Sequence, residues 1–441
     1  MVVMKFGGTS VGNARRIRAV GEIIRSRLRR KPIVVVSAMA GVTDGLISLY
    51  NQAVRGKGNG QGLIAKHLAA ARELGLPREA IQSELQALVE TLGEVRLKRT
   101  PSPKDRDLVL SFGERLSARL VAGCLSQRRI PAAPVMTYEA GLVTDGNFGS
   151  AEPLPETAGN LKKSLARVKG VPVVTGFLGR TRKGAITTLG RGGSDFTAAM
   201  VGAAVGAEEV EIWTDVNGVL SADPKVVPEA HTIGHLSFSE AAELAYFGAK
   251  VLHPKTLWPA MQKDIPVRVL NTHNPGHAGT VVTRQARRSE EVVKAIACKK
   301  GIIVLNVVST RMLLAHGFLA RLFQVFADHR IAVDLLATTE VSVSLTVDDA
   351  GRLGAAVKEL KTFSDVKVKK GRALVCIVGE GLAHSPGVSG KVFGALGRKG
   401  TNVEMISQGA SKINLSFVVR GEEAEPSVRR LHQEFFERRT R

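Results

Sequence analysis

Short β-branched runs alternate with longer helix-period segments through the first half of the chain. That alternation limits the possible folds more than any other feature. Residues 2–6 (Val-Val-Met-Lys-Phe), 33–36 (Ile-Val-Val-Val), 171–175 (Val-Pro-Val-Val-Thr) and 208–213 (Glu-Glu-Val-Glu-Ile-Trp) read as strands. Residues 78–98, 106–127 and 156–168 between them carry helical periodicity. Strand–helix–strand alternation predicts a mostly parallel sheet covered by helices on both faces. Ligands of such sheets sit at the carboxyl ends of the strands. Residues 100–104 and 271–279 are turn-rich loops, and the basic, polar stretch 284–291 reads as a linker.

The second half repeats itself. Gly317 and Gly387, Phe323 and Phe393, Val333 and Val403, Asp334 and Glu404, and Leu345 and Leu415 are each 70 positions apart. Each copy reads as a loop, a helix (318–329; 388–399), a polar turn and alternating strands. Two small α+β modules follow from this duplication.

Composition removes several classes. Of 441 residues, 44% are apolar and 23% charged, the balance of a folded globular chain. No apolar run reaches the roughly 18 residues that a membrane span needs. The opening residues lack a signal-peptide pattern. Cys124, Cys298 and Cys376 lie far apart without a C-x-x-C pair, so the expectation is no disulfide framework, no cysteine zinc site and a cytoplasmic setting. Lys and Arg number 62 against 40 Asp and Glu, leaving +22. Residues 1–31 hold nine basic side chains against Glu22 alone. Such a surplus favours anionic partners. Ile17, Val20, Ile24 and Leu28 recur at helical spacing in that stretch, so much of the charge reads as the wet face of an amphipathic helix. Aromatic residues are only 5%, leaving little surface on which bases could stack, which argues against a nucleic-acid partner.

Five motifs carry chemistry. Lys5-Phe6-Gly7-Gly8-Thr9-Ser10 follows a strand and precedes a helix, where backbone amides and a helix dipole attract phosphate. Its plain alternative is a strand-terminal Lys beside a tight turn. Thr187 to Asp195 (Thr-Thr-Leu-Gly-Arg-Gly-Gly-Ser-Asp) is a second Gly-rich loop opening a helix at 193–205. Arg191 can clamp a carboxylate there, and Asp195 reads either as a site residue or as a helix cap. Phe112-Gly113-Glu114-Arg115-Leu116 reads as a surface ion pair on a helix when taken alone. Residues 213–225 leave a strand through Asn-Gly and Asp-Pro turns, a place for a nucleotide's base and ribose. Phe247 to Pro254 offers Lys250 as a phosphate ligand, while His253 before Pro reads as structural. No Walker A loop and no H-E-x-x-H motif occurs.

In this order the chain resembles the aspartokinases of the amino-acid kinase family. The phrases are KFGGTSV at 5–11, VVVSAMAGVTD at 34–44, SFGERLSARL at 111–120, TTLGRGGSDFTAA at 187–199, WTDVNGVLSADP at 213–224 and FGAKVLHP at 247–254. The likeness continues through 312–346, and the duplicated tail resembles tandem ACT domains. The implied fold is α/β: a three-layer αβα amino-acid kinase domain with a mostly parallel sheet at 1–288, then two α+β ferredoxin-like ACT units within 289–441. The repeat units fall near 300–370 and 371–441. In the family one ACT unit is inserted in the other, which leaves the strand near 291–298 open to membership of the second.

The resemblance also assigns roles. Lys5, Gly7, Gly8 and Ser10 match the phosphate loop. Thr43 and Glu114 match aspartate-binding positions, Glu114 toward the substrate ammonium. Arg191 matches the α-carboxylate clamp, completed by Ser194 and Asp195, and Lys5, Arg191 and Asp195 are the expected catalytic set. Thr214, Asp215, Leu220, Lys225, Lys250 and Val251 match ATP-contacting positions. Leu220 and Lys225 depart from the Tyr and Arg that many members carry, and Lys lacks the planar fork of Arg.

The implied reaction is ATP + L-aspartate → 4-phospho-L-aspartate + ADP, the first step toward lysine, threonine, methionine and diaminopimelate. Aspartate's β-carboxylate is already ionised at neutral pH, so positioning and charge neutralisation suffice without a general base. Mg²⁺ is expected to arrive with ATP, held mainly by its phosphates. The tail resembles the lysine-sensitive type, with effector positions at Met312, Gly317, Phe318, Leu319, Asp334, Thr338 and Glu340. Ala315 and His316 depart from the Ser and Arg common there. L-Lysine is the expected effector, and a homodimer or dimer of dimers through the ACT domains the expected assembly of a monofunctional enzyme. Rival readings are a kinase of glutamate, N-acetylglutamate or carbamate, and an inactive ACT-type amino-acid sensor.

Overall fold

The computed structural model describes residues 1–98, 100–247, 254–285, 291–309, 312, 316–348, 350–409 and 413–437. The described residues divide into two compact units. One lies within Met1–Val219, Gly234–Phe238 and Val251–Gln285, the other within Leu220–Ile233, Ser239–Lys250 and Ala286–Arg441.

In the first unit, β1 (Val2–Phe6) leads through the first Gly-rich loop to α1 (Ala14–Ser26). Asn13 caps α1 by accepting from the Arg16 amide at 3.0 Å. β2 (Ile33–Val36) and the helices α2 (Val42–Val54), α3 (Gln61–Glu73), α4 (Glu79–Leu97) and α5 (Pro103–Gln127) follow. Ser102 and Asp105 form a reciprocal capping box with Pro103 as the first helical residue, which is why α5 starts three residues before the periodicity predicts. Then come β3 (Ala132–Val135), β4 (Val143–Thr144), α6 (Thr157–Leu165), β5 (Val171–Thr175), β6 (Leu178–Thr181), β7 (Ile186–Thr188), α7 (Gly193–Val205), β8 (Glu209–Thr214) and β9 (His235–Ser237). After α8 (Phe238–Tyr246), which belongs to the second unit from Ser239 onward, α9 (Pro254–Gln262), β10 (Val267–Asn271) and β11 (Thr280–Thr283) complete the unit.

The main sheet has the order β3-β5-β2-β1-β8-β10-β11-β9, parallel except where β10 meets β11. A small sheet, β4-β6-β7, stands apart from it. Side chains alternate across β1. Val2, Met4 and Phe6 enter the core shared with α1, α2, α4 and α5. Val3 and Lys5 face the opposite layer, where α7 packs on β1 and β8. Gly202 permits that approach, because a Cβ there would stand 2.7 Å from Val210 Cγ2. Three layers result, and Lys5 is aimed at the N-terminus of α7 by alternation alone.

The basic N-terminal stretch is only partly a wet face. Ile17, Val20 and Ile24 are buried, but α1 ends at Ser26 and leaves Leu28 exposed. Arg27 and Arg30 turn inward to Glu211 on β8 at 3.2 and 3.1 Å, and Arg30 also meets Glu209 at 3.0 Å. Part of the local surplus is therefore matched by carboxylates distant in sequence, while Arg15, Arg18, Arg25, Arg29 and Lys31 are exposed. No helix among the described residues is long and apolar enough to cross a membrane.

The second unit is built on a six-stranded antiparallel sheet. Its elements are β12 (Ala295–Val308), α10 (Phe318–Asp328), β13 (Leu336–Thr338), β14 (Ser342–Val347), α11 (Leu353–Leu360), β15 (Asp365–Val378), α12 (Val388–Gly397), β16 (Met405–Ser407), β17 (Asn414–Arg420) and α13 (Ala424–His432). The order is β13-β14-β12-β15-β17-β16. β12 and β15 are long strands shared by both repeats. Residues 302–308 of β12 pair with β14 and the first half of β15. Residues 295–300 pair with 373–378, which in turn pair with β17. The change falls at a bulge around Gly301, whose φ of +78° suits glycine. Each half has its own apolar core: one among β12, β14, α10 and α11, the other among β15, β17, α12 and α13.

Candidate active site

The carboxyl ends of β1, β2, β5 and β8 converge. Gly7 N–H donates to the Trp213 carbonyl at 3.1 Å, Ser37 N–H to the Phe6 carbonyl at 3.1 Å, and Gly176 N–H to the Val36 carbonyl at 2.9 Å. The first Gly-rich loop opens there, as a parallel sheet predicts, and the second, which follows β7 of the small sheet, is brought to the same place by the Leu189 N–H donating to the Phe177 carbonyl at 2.9 Å.

Lys5 supplies the cation of the first loop. Its side chain is nearly buried, and its Nζ lies 2.6 Å from Asp195 Oδ1 in the first turn of α7. Asp195 is thus the partner of Lys5, beyond being a helix-terminal acid. Gly8 is required by crowding, because a Cβ there would come within 2.8 Å of the Ala38 carbonyl. Ser10 Oγ is 2.7 Å from Thr272 Oγ1, at the end of β10, a bond that nothing in the local sequence announces. Arg16 reaches back to the Thr9 carbonyl at 2.6 Å and fastens the loop to α1.

Glu114 is not half of a surface pair. Its side chain is 3% exposed, and Oε1 accepts from the Ala38 amide at 3.1 Å while Oε2 has no partner. Burial pushes its carboxyl up to about 8, against the opposing pull of the Ala38 amide. The adjacent Arg115 turns the other way, to Glu84. The reason is packing: Gly113 lets α5 press on the loop after β2, where a Cβ would meet Ala38 Cβ at 2.7 Å and Leu46 Cδ1 at 3.3 Å. A buried carboxylate with one free oxygen suits a ligand that brings its own positive charge. Thr43, half-buried in the first turn of α2, stands on the helix that Gly113 packs against.

The second loop is braced from below. Gly190 and Gly192 adopt φ of +77° and +71° on either side of the exposed Arg191. Gly176 leaves room for Ser194, whose Cβ and Oγ would both lie 2.6 Å from a Cβ at 176. Asp107, buried on α5, accepts from the Gly149 and Thr188 amides at 2.8 Å each and from Thr188 Oγ1 at 3.0 Å. Burial raises its carboxyl above the usual range despite those donors. Sequence reading passes over Asp107, although its place seven residues before Glu114 puts the two carboxylates on one face of α5.

The remaining expected positions are spread out. Thr214 is half-buried and Asp215 exposed at the end of β8. Leu220 and Lys225 fall in the second unit, Leu220 half-buried and paired with Thr232, Lys225 exposed. Lys250, Val251 and His253 lie outside the described residues, as does Ala315. In the second unit, Gly317 begins α10 with φ of +83°, and Phe318 meets Phe363 edge-on at 5.8 Å. Met312 packs on the same core. Leu319, Thr338 and Glu340 are exposed, as is His316. The Asp334 carboxylate is buried against Lys299 and Tyr246.

These features define the class: a kinase-type αβα domain with two Gly-rich anion loops, joined to a paired ACT module. The amino acid kinase family model matches residues 1–271, and an ACT domain model matches 375–435. The chain is 42% identical to the chloroplastic aspartokinase 2 of Arabidopsis thaliana over 458 aligned positions, covering 99% of this chain and 84% of that one. It is 38% identical to the lysine-sensitive aspartokinase 3 of Escherichia coli, with 99% of both chains covered. The solved structure of E. coli aspartokinase III with aspartate and ADP, its R-state, superposes with a TM-score of 0.84 at 37% identity, covering 99% of this chain and 100% of that one. The T-state with lysine and aspartate gives 0.81 at 36%, with 99% of both chains covered. The chain belongs to the aspartokinase family.

Proposed function

We propose that this chain transfers the γ-phosphoryl group of ATP to the β-carboxylate of L-aspartate and is inhibited by L-lysine. The observation that carries the kinase reading is the convergence of Lys5, Asp195 and the half-partnered Glu114 at the carboxyl ends of the central strands. Lys5 and the Gly8 amide neutralise the phosphates, and the Glu114 carboxylate takes the substrate ammonium. Arg191 takes the α-carboxylate, on a loop held by Ser194 and Asp107. Those contacts fix the β-carboxylate in line with the γ-phosphorus, and Lys5 offsets the charge that gathers there. Mg²⁺ fits a site where the Asp195 carboxylate lies against Lys5 beside the two Gly-rich loops. It would be held mostly by ATP oxygens, with Asp195 the nearest protein carboxylate to Lys5, and it neutralises phosphate charge. Thr214, Asp215, Leu220, Lys225, Lys250 and Val251 are the proposed nucleotide positions, and residues 1–288 and 289–441 the proposed catalytic and regulatory regions. The enzyme is proposed to work in the cytoplasm as a homodimer or dimer of dimers paired through its ACT domains.

The test is ADP release with Mg-ATP and L-aspartate, with and without L-lysine. Aspartate-dependent turnover suppressed by lysine supports both halves of the reading. Turnover with glutamate and none with aspartate overturns the substrate assignment.

A further inference from the structure

The carboxylate expected to receive the effector's ammonium is already occupied by an ammonium of the chain itself. Lys299 sits on β12 just before the bulge at Gly301, where the strand passes from one repeat's pairing to the other's. Its Nζ lies 3.1 Å from Asp334 Oδ2 and 2.9 Å from Asp348 Oδ2. The other oxygen of Asp334 accepts from the Tyr246 hydroxyl, which comes from the end of α8. The Tyr246 ring lies 5.3 Å from the Lys299 ammonium, a cation–π contact. The Asp334 side chain is 3% exposed, whereas that of Asp348 is 50% exposed. Burial opposes charge on Lys299, but the bonds to Asp348 and Asp334 outweigh it and raise its proton affinity. Burial and the Asp334 bond likewise raise the Tyr246 hydroxyl, so it remains a donor. The backbone around Asp334 is pinned by its own amide to the Thr346 carbonyl at 2.9 Å and by the Leu335 amide to Thr346 Oγ1 at 3.0 Å. The carboxylate therefore stays in place while its partners exchange.

We infer that Lys299 is an internal competitor for the effector: it occupies the Asp334 carboxylate in the free protein, and an amino-acid ammonium binds by displacing it onto Asp348. This rests on the effector reading above. Asp348 gives the displaced cation somewhere to go, so the exchange swaps one ammonium for another and leaves no buried carboxylate unpaired. Tyr246 reports the exchange, since its hydroxyl shares Asp334 and its ring faces Lys299. α8 is also anchored in this unit by Glu240 to Lys294 at 2.9 Å and to the Glu380 amide at 2.8 Å, and by Glu243, which accepts from the Asn414 side-chain amide. Tyr246 links α8 to the ligand through its bond to Asp334.

The test is calorimetric titration of the full chain with L-lysine for the wild type, Lys299→Met and Asp348→Asn, with thermal melting to verify folding. Methionine keeps the apolar stem and removes the competing charge, so lysine binds about tenfold more tightly. Asp348→Asn removes the alternative anchor, so lysine binds more weakly. Wild-type binding with no gain in Lys299→Met overturns the competitor and leaves the effector reading standing. Absence of heat in both the wild type and Lys299→Met overturns the effector reading and the competitor with it. Heat in Lys299→Met alone supports the competitor in its strongest form.

Discussion

Glu114 makes the most specific demand at the scale of single residues. Its carboxyl is lifted to about 8 by burial, so in the free enzyme it is largely protonated at pH 6.5 and largely ionised at pH 9. Only the ionised form pairs with an ammonium, so kcat/KM for aspartate should rise with pH through about 8, because this ratio reports the free enzyme. Glu114→Gln should lower it roughly 10- to 100-fold and remove that inflection, read from initial rates across pH. Lys5→Ala should lower kcat by about 10²–10³ with the melting transition retained, since its charge acts where negative charge gathers. A single-turnover assay separates that loss from weaker binding.

Individual elements are held by contacts that their own sequences do not display. The loop from Thr188 to Gly193 stands on Asp107, which belongs to α5, and a Cβ at Gly190 would stand 3.2 Å from the Gly149 carbonyl. Asp107→Asn keeps the shape but cannot accept from all three donors. It should raise KM for aspartate about tenfold while leaving KM for ATP near its wild-type value, because it loosens the loop that carries Arg191. α7 lies so close to the sheet that Gly202→Ala would force Val210 aside. A cost of about 1–3 kcal/mol in denaturant unfolding is expected.

At the scale of the whole molecule, the two units interleave in sequence. Ala222 and Val227, within the stretch matched by the kinase family model, are buried with Val293, Ile296 and Val375 in the second unit's core. A protein cut after residue 288 therefore carries apolar side chains stripped of their partners. It should aggregate or lack a cooperative melting transition, whereas the full chain melts cooperatively. Size-exclusion chromatography and calorimetry of the two proteins make the comparison. A soluble, active 1–288 fragment would contradict this account.

Periodicity and Gly-rich loops made the strands, the helices, the parallel sheet and the duplicated tail legible, because those signals are local: side-chain alternation, helical spacing and turn chemistry act over a few residues. The family phrases then picked out Lys5, Glu114, Arg191 and Asp195. Folding alone decided which reading each residue deserved. Glu114 looked like a surface partner of Arg115 until packing at Gly113 buried it and sent Arg115 to Glu84. Arg27 and Arg30 looked solvated like their neighbours until Glu209 and Glu211 arrived from β8. Thr272 and Lys299 gave no signal and Asp107 only its helical spacing from Glu114, since each acts on atoms far away along the chain. Local propensity settles elements, whereas proton affinities, ion-pair partners and the identity of the group on Asp334 depend on desolvation and distance, which exist only once remote segments meet.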